Sequence, residues 1–515
     1  MKLKNTFTGV ALAVSVAMSS FATPAVYVKA ADVSTPEITA ESIASEANAT
    51  SAYLQSLSED GKMSIFDYRQ LILMMQTDIN YSKEFNSYME LVKSYTTDDG
   101  KIVVEGVEMP TIYAAVIDIL TIASFNPADY NGVNYLKSFS DYITAYDSAE
   151  ALNTAIGNPY YYSYIIPAAV SYKDEMPDGD KVLALLKDAV SLTYVSSDSG
   201  VGIDYYGCAT DNNGKVLPAL TYYAQSDADF NQKMIDAITW TNNTNRNADG
   251  GYCYAAAWGT DSSANSTALG LCMLTAYGYD DEAKTSYSAL NGFKSEKTDG
   301  CYTYMGEDNL LATQDAFEAL VTYKRSLSGM AASPYDVTAY KCKFNTITFY
   351  GNGGKFTDNK SSKKTFSVNE ITTLKELTTL GTPVRKGYTF AGWYTDKTSG
   401  KKLTATTTFN SKASYYAHWS KVKVSKPAAV NVKSAKKSAK VTIKKVTGAN
   451  SYTIVYADNS KFKKAKKVTV SKTSATIKSL KSGKIYYVKV CANKKDSTGK
   501  LVSSSYSTVK KVKVK

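Results

Sequence analysis

Apolar residues recur every three to four positions along six stretches of the first part of the chain. These are Ile65 to Gln76, Tyr113 to Phe125, Tyr164 to Tyr172, Val216 to Ala224, Ala264 to Tyr277 and Leu311 to Tyr323. That period predicts six strongly apolar helices. Amphipathic segments alternate with them, at Glu41 to Leu57, Phe85 to Tyr95, Tyr135 to Tyr146, Lys181 to Leu192, Phe230 to Trp240 and Thr285 to Phe293. Turn dipeptides punctuate the series at Asp60-Gly61, Asp99-Gly100, Ser199-Gly200, Asp249-Gly250 and Asp299-Gly300, with Asn158-Pro159 near the position the spacing leaves open. The last three lie 50 residues apart, so the unit is a helical hairpin repeated about every 50 residues. One hairpin cannot bury its apolar face alone, so six of them must stack, and a closed ring over residues 31–326 is the expected arrangement.

From Asn345 the period shortens to two, with β-branched and aromatic residues in short alternating runs between glycine turns, which reads as strands. Two β modules are expected, at 345–420 and 421–515. The stretch Ser328 to Pro334 lacks periodicity and carries small turn-forming residues, so 327–344 is expected to be a linker. At the other end, Lys2 and Lys4 precede an apolar run from Val10 to Met18, and Val28-Lys29-Ala30 is a small-residue cleavage pattern. Residues 1–30 therefore read as a secretory signal peptide, and no later run predicts a transmembrane segment.

Charge separates the two parts. Residues 341–515 carry 39 Lys+Arg against 6 Asp+Glu, whereas residues 1–340 carry 20 against 42. The basic part should attract polyanions. For an exported chain these are cell-wall polyanions or acidic glycans, and nucleic acid is not the expected partner. The single histidine, His418, excludes any mechanism that needs two imidazoles, and no metal or cofactor is expected. Six cysteines in 515 residues are too sparse for a disulfide scaffold, and Cys272, inside an apolar helix, should be a buried thiol.

The pattern Asp249-Gly-Gly-Tyr252 followed by Ser262-Ser-Ala-Asn265-Ser-Thr-Ala268, echoed at Asp299-Gly-Cys-Tyr302 and Thr313-Gln-Asp315, resembles the prenyltransferase and squalene-cyclase repeat. The resemblance implies an α/α toroid. The Asp-x-Asp-Asp acid motif, the Asp, Cys and His zinc ligands and the Cys-Gly-Glu-Gln thioester of that superfamily are all missing, so its chemistries are not carried over. If the repeat is a toroid, its loops gather at one mouth, and Tyr205, Tyr206, Tyr252, Tyr254, Trp258, Tyr302 and Tyr304 are candidate ligand-binding residues there. Asp204, Asp249, Asp261 and Asp299 in the same loops allow a hydrolase or lyase using paired carboxylates as an alternative, although such residues are ordinary turn formers and caps. Capture of a corrinoid cofactor, as in carrier proteins with similar rings, is a further alternative.

In the basic part, Gly387-Tyr-Thr-Phe-Ala-Gly-Trp-Tyr394 and Ala417-His-Trp419 closely resemble the Listeria-Bacteroides repeat. That implies a small β-grasp-like module of surface proteins, with Trp393 and Trp419 as core anchors. The last segment, with Tyr452-Thr-Ile-Val-Tyr456 and Ile485-Tyr-Tyr-Val-Lys-Val490, resembles a fibronectin type III β-sandwich with its tyrosine corner at Tyr486 and Ile443 where the family has Trp. The expectation is a secreted or cell-envelope protein without catalytic residues. Its toroid would bind a host or other glycan, or a small apolar ligand, while basic β modules retain it at the wall.

Overall fold

The structure is a computed structural model and describes residues 37–515 except 359, 370, 371 and 410. The expected signal peptide lies outside the described residues. Thr39 to Lys515 form one compact unit.

The helical region runs α1 (Ala40–Ser56), α2 (Tyr68–Met74), α3 (Ser82–Tyr95), α4 (Pro110–Ile122), α5 (Tyr135–Thr144), α6 (Ala149–Ile156) and α7 (Tyr162–Ser171). It continues with α8 (Gly179–Ser191), α9 (Thr210–Val216), α10 (Thr221–Ser226), α11 (Ala228–Asn245), α12 (Ala264–Ala276), α13 (Asp280–Asn291) and α14 (Leu310–Leu327). The apolar stretches of the sequence become α2, α4, α7, the α9–α10 segment, α12 and α14. Every residue of α4 is buried, as expected of a helix that is apolar all round. The amphipathic stretches become α1, α3, α5, α8, α11 and α13, each burying one side. Two details differ from the sequence reading. Pro218 cannot continue the α-helical hydrogen bonding, so the fourth apolar helix breaks into α9, a 3-10 turn at Leu217–Leu220 and α10. The additional α6 forms where Ser148 caps Ala151 and Gly157 ends the helix at φ +70.

Neighbouring helices form a circuit: α2 packs on α4, α4 on α7, α7 on α9 and the 3-10 turn after it, α9 on α12, and α12 on α14, which touches both α1 and α2. The turn glycines explain the spacing read from the sequence. Four of the five sit against the amphipathic helix of a neighbouring hairpin, Gly61 on Lys83, Gly100 on Ser138, Gly250 on Thr285 and Gly300 back on Ala49 of α1, while Gly200 lies against Cys208. At Gly300, with φ +75, a Cβ would lie 2.4 Å from the Ala49 carbonyl oxygen, so the site requires glycine for both its backbone and its space.

The segment after α14 does not hang free as a linker would. It packs across the C-terminal ends of the apolar helices and inserts Tyr335, which is 1% exposed. Gln76 donates to the Pro334 carbonyl at 2.9 Å, Arg325 to the carbonyls of Ala331 (2.8 Å) and Asp336 (2.6 Å), and Lys341 to that of Ser171 (2.7 Å). Small residues permit this close path, which is why the segment shows no periodicity.

The C-terminal region is β-rich. Phe344–Tyr350 lies centrally in a four-stranded mixed sheet, antiparallel to Lys363–Asn369 and parallel to Ala413–Lys421, which pairs in turn with Tyr388–Tyr394. Its core gathers Ile347, Phe349, Phe356, Trp393, Phe409 and Tyr415, with Trp419 packed against it. His418 stacks on Tyr394 at 3.8 Å, diagonally across the strand pair in which it faces Gly392. Asn126 and Asn369 join this sheet to the helical region through Ser367 (2.7 Å) and the Ser124 carbonyl (2.9 Å). A groove of roughly 800 Å³ opens beside these contacts.

The last module has a three-stranded sheet, Val430–Ala435, Ser438–Ile443 and Ser474–Ile477. A second sheet has Lys466–Val470, Ser451–Ala457 and Ile485–Lys495, the last pairing with both Leu501–Ser503 and Lys510–Lys513. One apolar core including Val441, Ile443, Ile454, Ile477, Val488 and Val490 lies between the sheets. The Lys481 N–H donates to the Tyr486 hydroxyl at 3.2 Å, the contact expected of a tyrosine corner.

Candidate functional site

The centre of the helical circuit is polar. Glu318 on α14 accepts on one oxygen from Arg69 Nε of α2 (2.8 Å), Lys215 Nζ of α9 (2.5 Å) and the Tyr335 hydroxyl (2.9 Å). Arg69 also donates to Asp315 Oδ1 at 2.5 Å, and Asn265 of α12 donates to Asp315 Oδ2 at 2.7 Å. Lys215 lies 4.9 Å from the Tyr164 ring and 5.5 Å from the Tyr335 ring. Burial opposes ionisation of Glu318, but the Lys215 and Arg69 charges outweigh it and hold the carboxyl down at about 2. A hydrogen-bonded ionic cluster therefore joins α2, α9, α12, α14 and Tyr335.

Above this cluster, at the N-terminal ends of the apolar helices, Asp211 of α9 stands close to Asp315, Ser266, Tyr160 and Tyr254. Burial pushes the Asp211 carboxyl up to about 7. The Ser266 hydroxyl works against that shift, and the neighbouring Asp315 adds to it. Its Oδ1 is buried without a hydrogen-bond partner.

Aromatic side chains surround this point. Tyr254 stacks on Trp258 at 5.3 Å and 27°, and Trp258 is 73% exposed. Tyr160 meets Tyr205 edge-on at 5.5 Å, and Tyr205 lies 4.6 Å from Tyr206. Tyr206 has φ +59, an uncommon conformation for a bulky residue, and it holds the ring 82% exposed at the tip of its turn. Phe66, Val107, Met305, Leu310 and Leu311, all in or just after the loops that precede apolar helices, are exposed as well.

The candidate residues divide by burial. Tyr206 and Trp258 are exposed, Tyr205 and Tyr254 are partly buried beneath them, and Tyr304 sits half-exposed on the Thr303–Tyr304 hairpin strand. Tyr252 and Tyr302 are core residues: Tyr252 is fully buried, donates to Asn242 Oδ1 at 2.5 Å and lies against Gly270. Tyr302 is buried with its hydroxyl unpartnered. Of the loop carboxylates, Asp249 accepts from the Gly251 N–H (2.9 Å) and Asp204 from the Gly207 N–H (2.9 Å), as turn formers do.

Sequence reasoning does not single out Asp211, Arg69, Lys215 or Glu318 as site residues. A signal for part of the cluster is nevertheless present: Lys215, Asn265 and Asp315 occupy one phase of the 50-residue repeat, each a polar residue on a largely buried helix.

Among the described residues, no group of three or more His, Cys, Asp or Glu side chains is placed to hold a metal ion, the six cysteines are unpaired, and no helix is long and apolar enough to cross a membrane.

No curated protein matches the chain. Solved structures similar to part of it include the fn3 domain of human contactin 1, at 22% identity over 18% of this chain and 78% of that one, TM-score 0.16. The FN5 domain of Drosophila Lar is similar at 18% identity over 18% of this chain and 97% of that one, TM-score 0.15. Residues 346–418 match the family model of the Listeria-Bacteroides repeat domain, and this segment of the chain is such a repeat.

Proposed function

We propose that the helical region is an α/α toroid whose mouth binds a glycan, and that the protein is secreted or held at the cell envelope by its basic β modules. The return of α14 to α1 and α2 supports the ring. The observation that carries the function is the Tyr254–Trp258 stack, an exposed indole on a ring whose hydroxyl feels the charge of Asp211. Sugars are recognised by such pairing of a flat apolar surface with hydrogen-bonding groups. The ionic cluster between the helices occupies the space that a corrinoid or an engulfed apolar ligand would need, which favours binding at the mouth. The excess of 26 Lys+Arg over 2 Asp+Glu in residues 421–515 supports retention on anionic wall polymers.

Wall and plant glycans arrayed on a surface test the reading. The full chain should bind a subset, and Trp258→Ala combined with Tyr206→Ala should weaken that binding at least tenfold with helix content unchanged. Absence of wild-type binding across the array would sink it.

A second reading is favoured by the Asp211–Asp315 pair, in which a carboxyl that keeps its proton near neutrality adjoins one bound by Arg69. Such a pair suits glycoside hydrolysis. Asp211 would protonate the leaving glycosidic oxygen as its C–O bond breaks, and water would add at the anomeric carbon, returning a proton to the pair. Sugar release by the wild type and its loss in Asp211→Asn are the expected signs.

A further inference from the structure

The feature of the mouth that remains unexplained is the unpaired oxygen of Asp211. Oδ1 is buried and accepts no hydrogen bond, while the side chain as a whole keeps some exposure. The groups close enough to act on its carboxyl are Asp315 from α14, Ser266 from α12, whose hydroxyl favours the ionised form, and Tyr160, Tyr254 and Cys253 from the loops. None of these is a cation. The nearby cations, Arg69 and Lys215, are engaged with Asp315 and Glu318.

A buried carboxyl oxygen without a donor, feeling the charge of a second carboxyl, is poorly matched to its own protein. It is well matched to a cationic donor. An ammonium would satisfy the oxygen and offset the repulsion from Asp315. The excess of acidic over basic residues in positions 1–340, 42 against 20, raises the local concentration of such a ligand.

We propose that the mouth selects a glycan of amino sugars bearing free amines, with an ammonium on Asp211 and a sugar face on Trp258. This rests on the glycan-binding reading above.

Three β-1,4 tetramers that differ only at carbon 2 provide the test: glucosamine, N-acetylglucosamine and glucose, titrated calorimetrically into the full chain. The glucosamine tetramer should bind at least tenfold more tightly than the other two. At pH 6 its binding should release a proton, seen as a heat that changes with the ionisation enthalpy of the buffer, because the ammonium favours ionised Asp211. Asp211→Asn should abolish both the preference and the proton release, whereas Asp249→Asn, at an outlying turn, should keep both. Equal wild-type binding of the three tetramers, or a preference that survives Asp211→Asn, overturns the amino-sugar assignment alone. Binding of none of them overturns it too, and together with an empty array it removes the glycan reading as well.

Discussion

Glu318 gathers three donors on a single buried oxygen, so its loss leaves Lys215 and Arg69 short of a counter-charge in a place water does not reach. Glu318→Gln should lower the unfolding free energy by about 3 kcal/mol, measured by urea denaturation at pH 7. Because the folded carboxyl is held at about 2, below its usual 4.5, its contribution is complete above about pH 4.5 and fades as pH falls toward 2. The wild type should lose its advantage over the variant across that window. Asp211 behaves in the opposite sense. Its folded value is raised from 3.8 to about 7, so ionisation destabilises the fold increasingly above pH 4 and fully above pH 7. Asp211→Asn should therefore stabilise the protein by about 2 kcal/mol at pH 8 and leave it unchanged at pH 4, in the same assay. At this scale the sequence is only half legible. The shared phase of Lys215, Asn265 and Asp315 is visible in the repeat, but Arg69 belongs to no such phase, and the inward position of Asp211 depends on how α9 meets α12. That approach turns on Gly214, where a Cβ would come within 2.4 Å of the Leu269 carbonyl oxygen, a contact between segments 55 residues apart.

Among the elements, the helices are readable because their apolar faces repeat at the helical period and their starts carry caps. Ser263 accepts from the Ser266 N–H at 3.2 Å and Asn309 from the Ala312 N–H at 2.9 Å. The strap after α14 is not readable, since its structure comes from the cavity it fills and not from any period of its own. Tyr335 is its anchor. Tyr335→Ala should cost about 3–5 kcal/mol for the emptied space, while Tyr335→Phe, which keeps the ring and loses the bond to Glu318, should cost about 1 kcal/mol. Thermal or urea unfolding of the two variants separates packing from hydrogen bonding. Equal, negligible losses would show that the strap contributes nothing to the core. The same distinction separates Tyr252 from Tyr254: both follow the same turn, but one ring faces Gly270 and the other meets Trp258. Composition cannot tell such neighbours apart.

Across the whole molecule, the β modules are joined to each other and to the helices by specific contacts. The Gly387 N–H donates to Asp496 at 2.7 Å and the Arg385 N–H to Ser497 at 2.7 Å, fixing the turn of the repeat against a loop of the last module. The charge division is legible from the counts alone, whereas this docking is not. Exposed Lys461, Lys463, Lys464, Lys466 and Lys467 concentrate positive charge at one edge of the last module. Binding to beads coated with a phosphate polymer should be released by about 1 M salt, where screening acts over about 3 Å. Replacing those five lysines with glutamine should lower the eluting salt concentration, and an unchanged elution would exclude that edge.

The seating of Gly300 on Ala49 has a consequence for what length changes the chain can survive. A rod of stacked units can lose one and remain a shorter rod, with two ends that only need covering. A circuit that comes back to its own beginning has no ends to cover. Excising any single hairpin would leave its former neighbours facing a gap, and adding one would force the seam between first and last apart. Variation in size is thus easier beyond the helices, in the last β module, which docks on the repeat and not on the circuit.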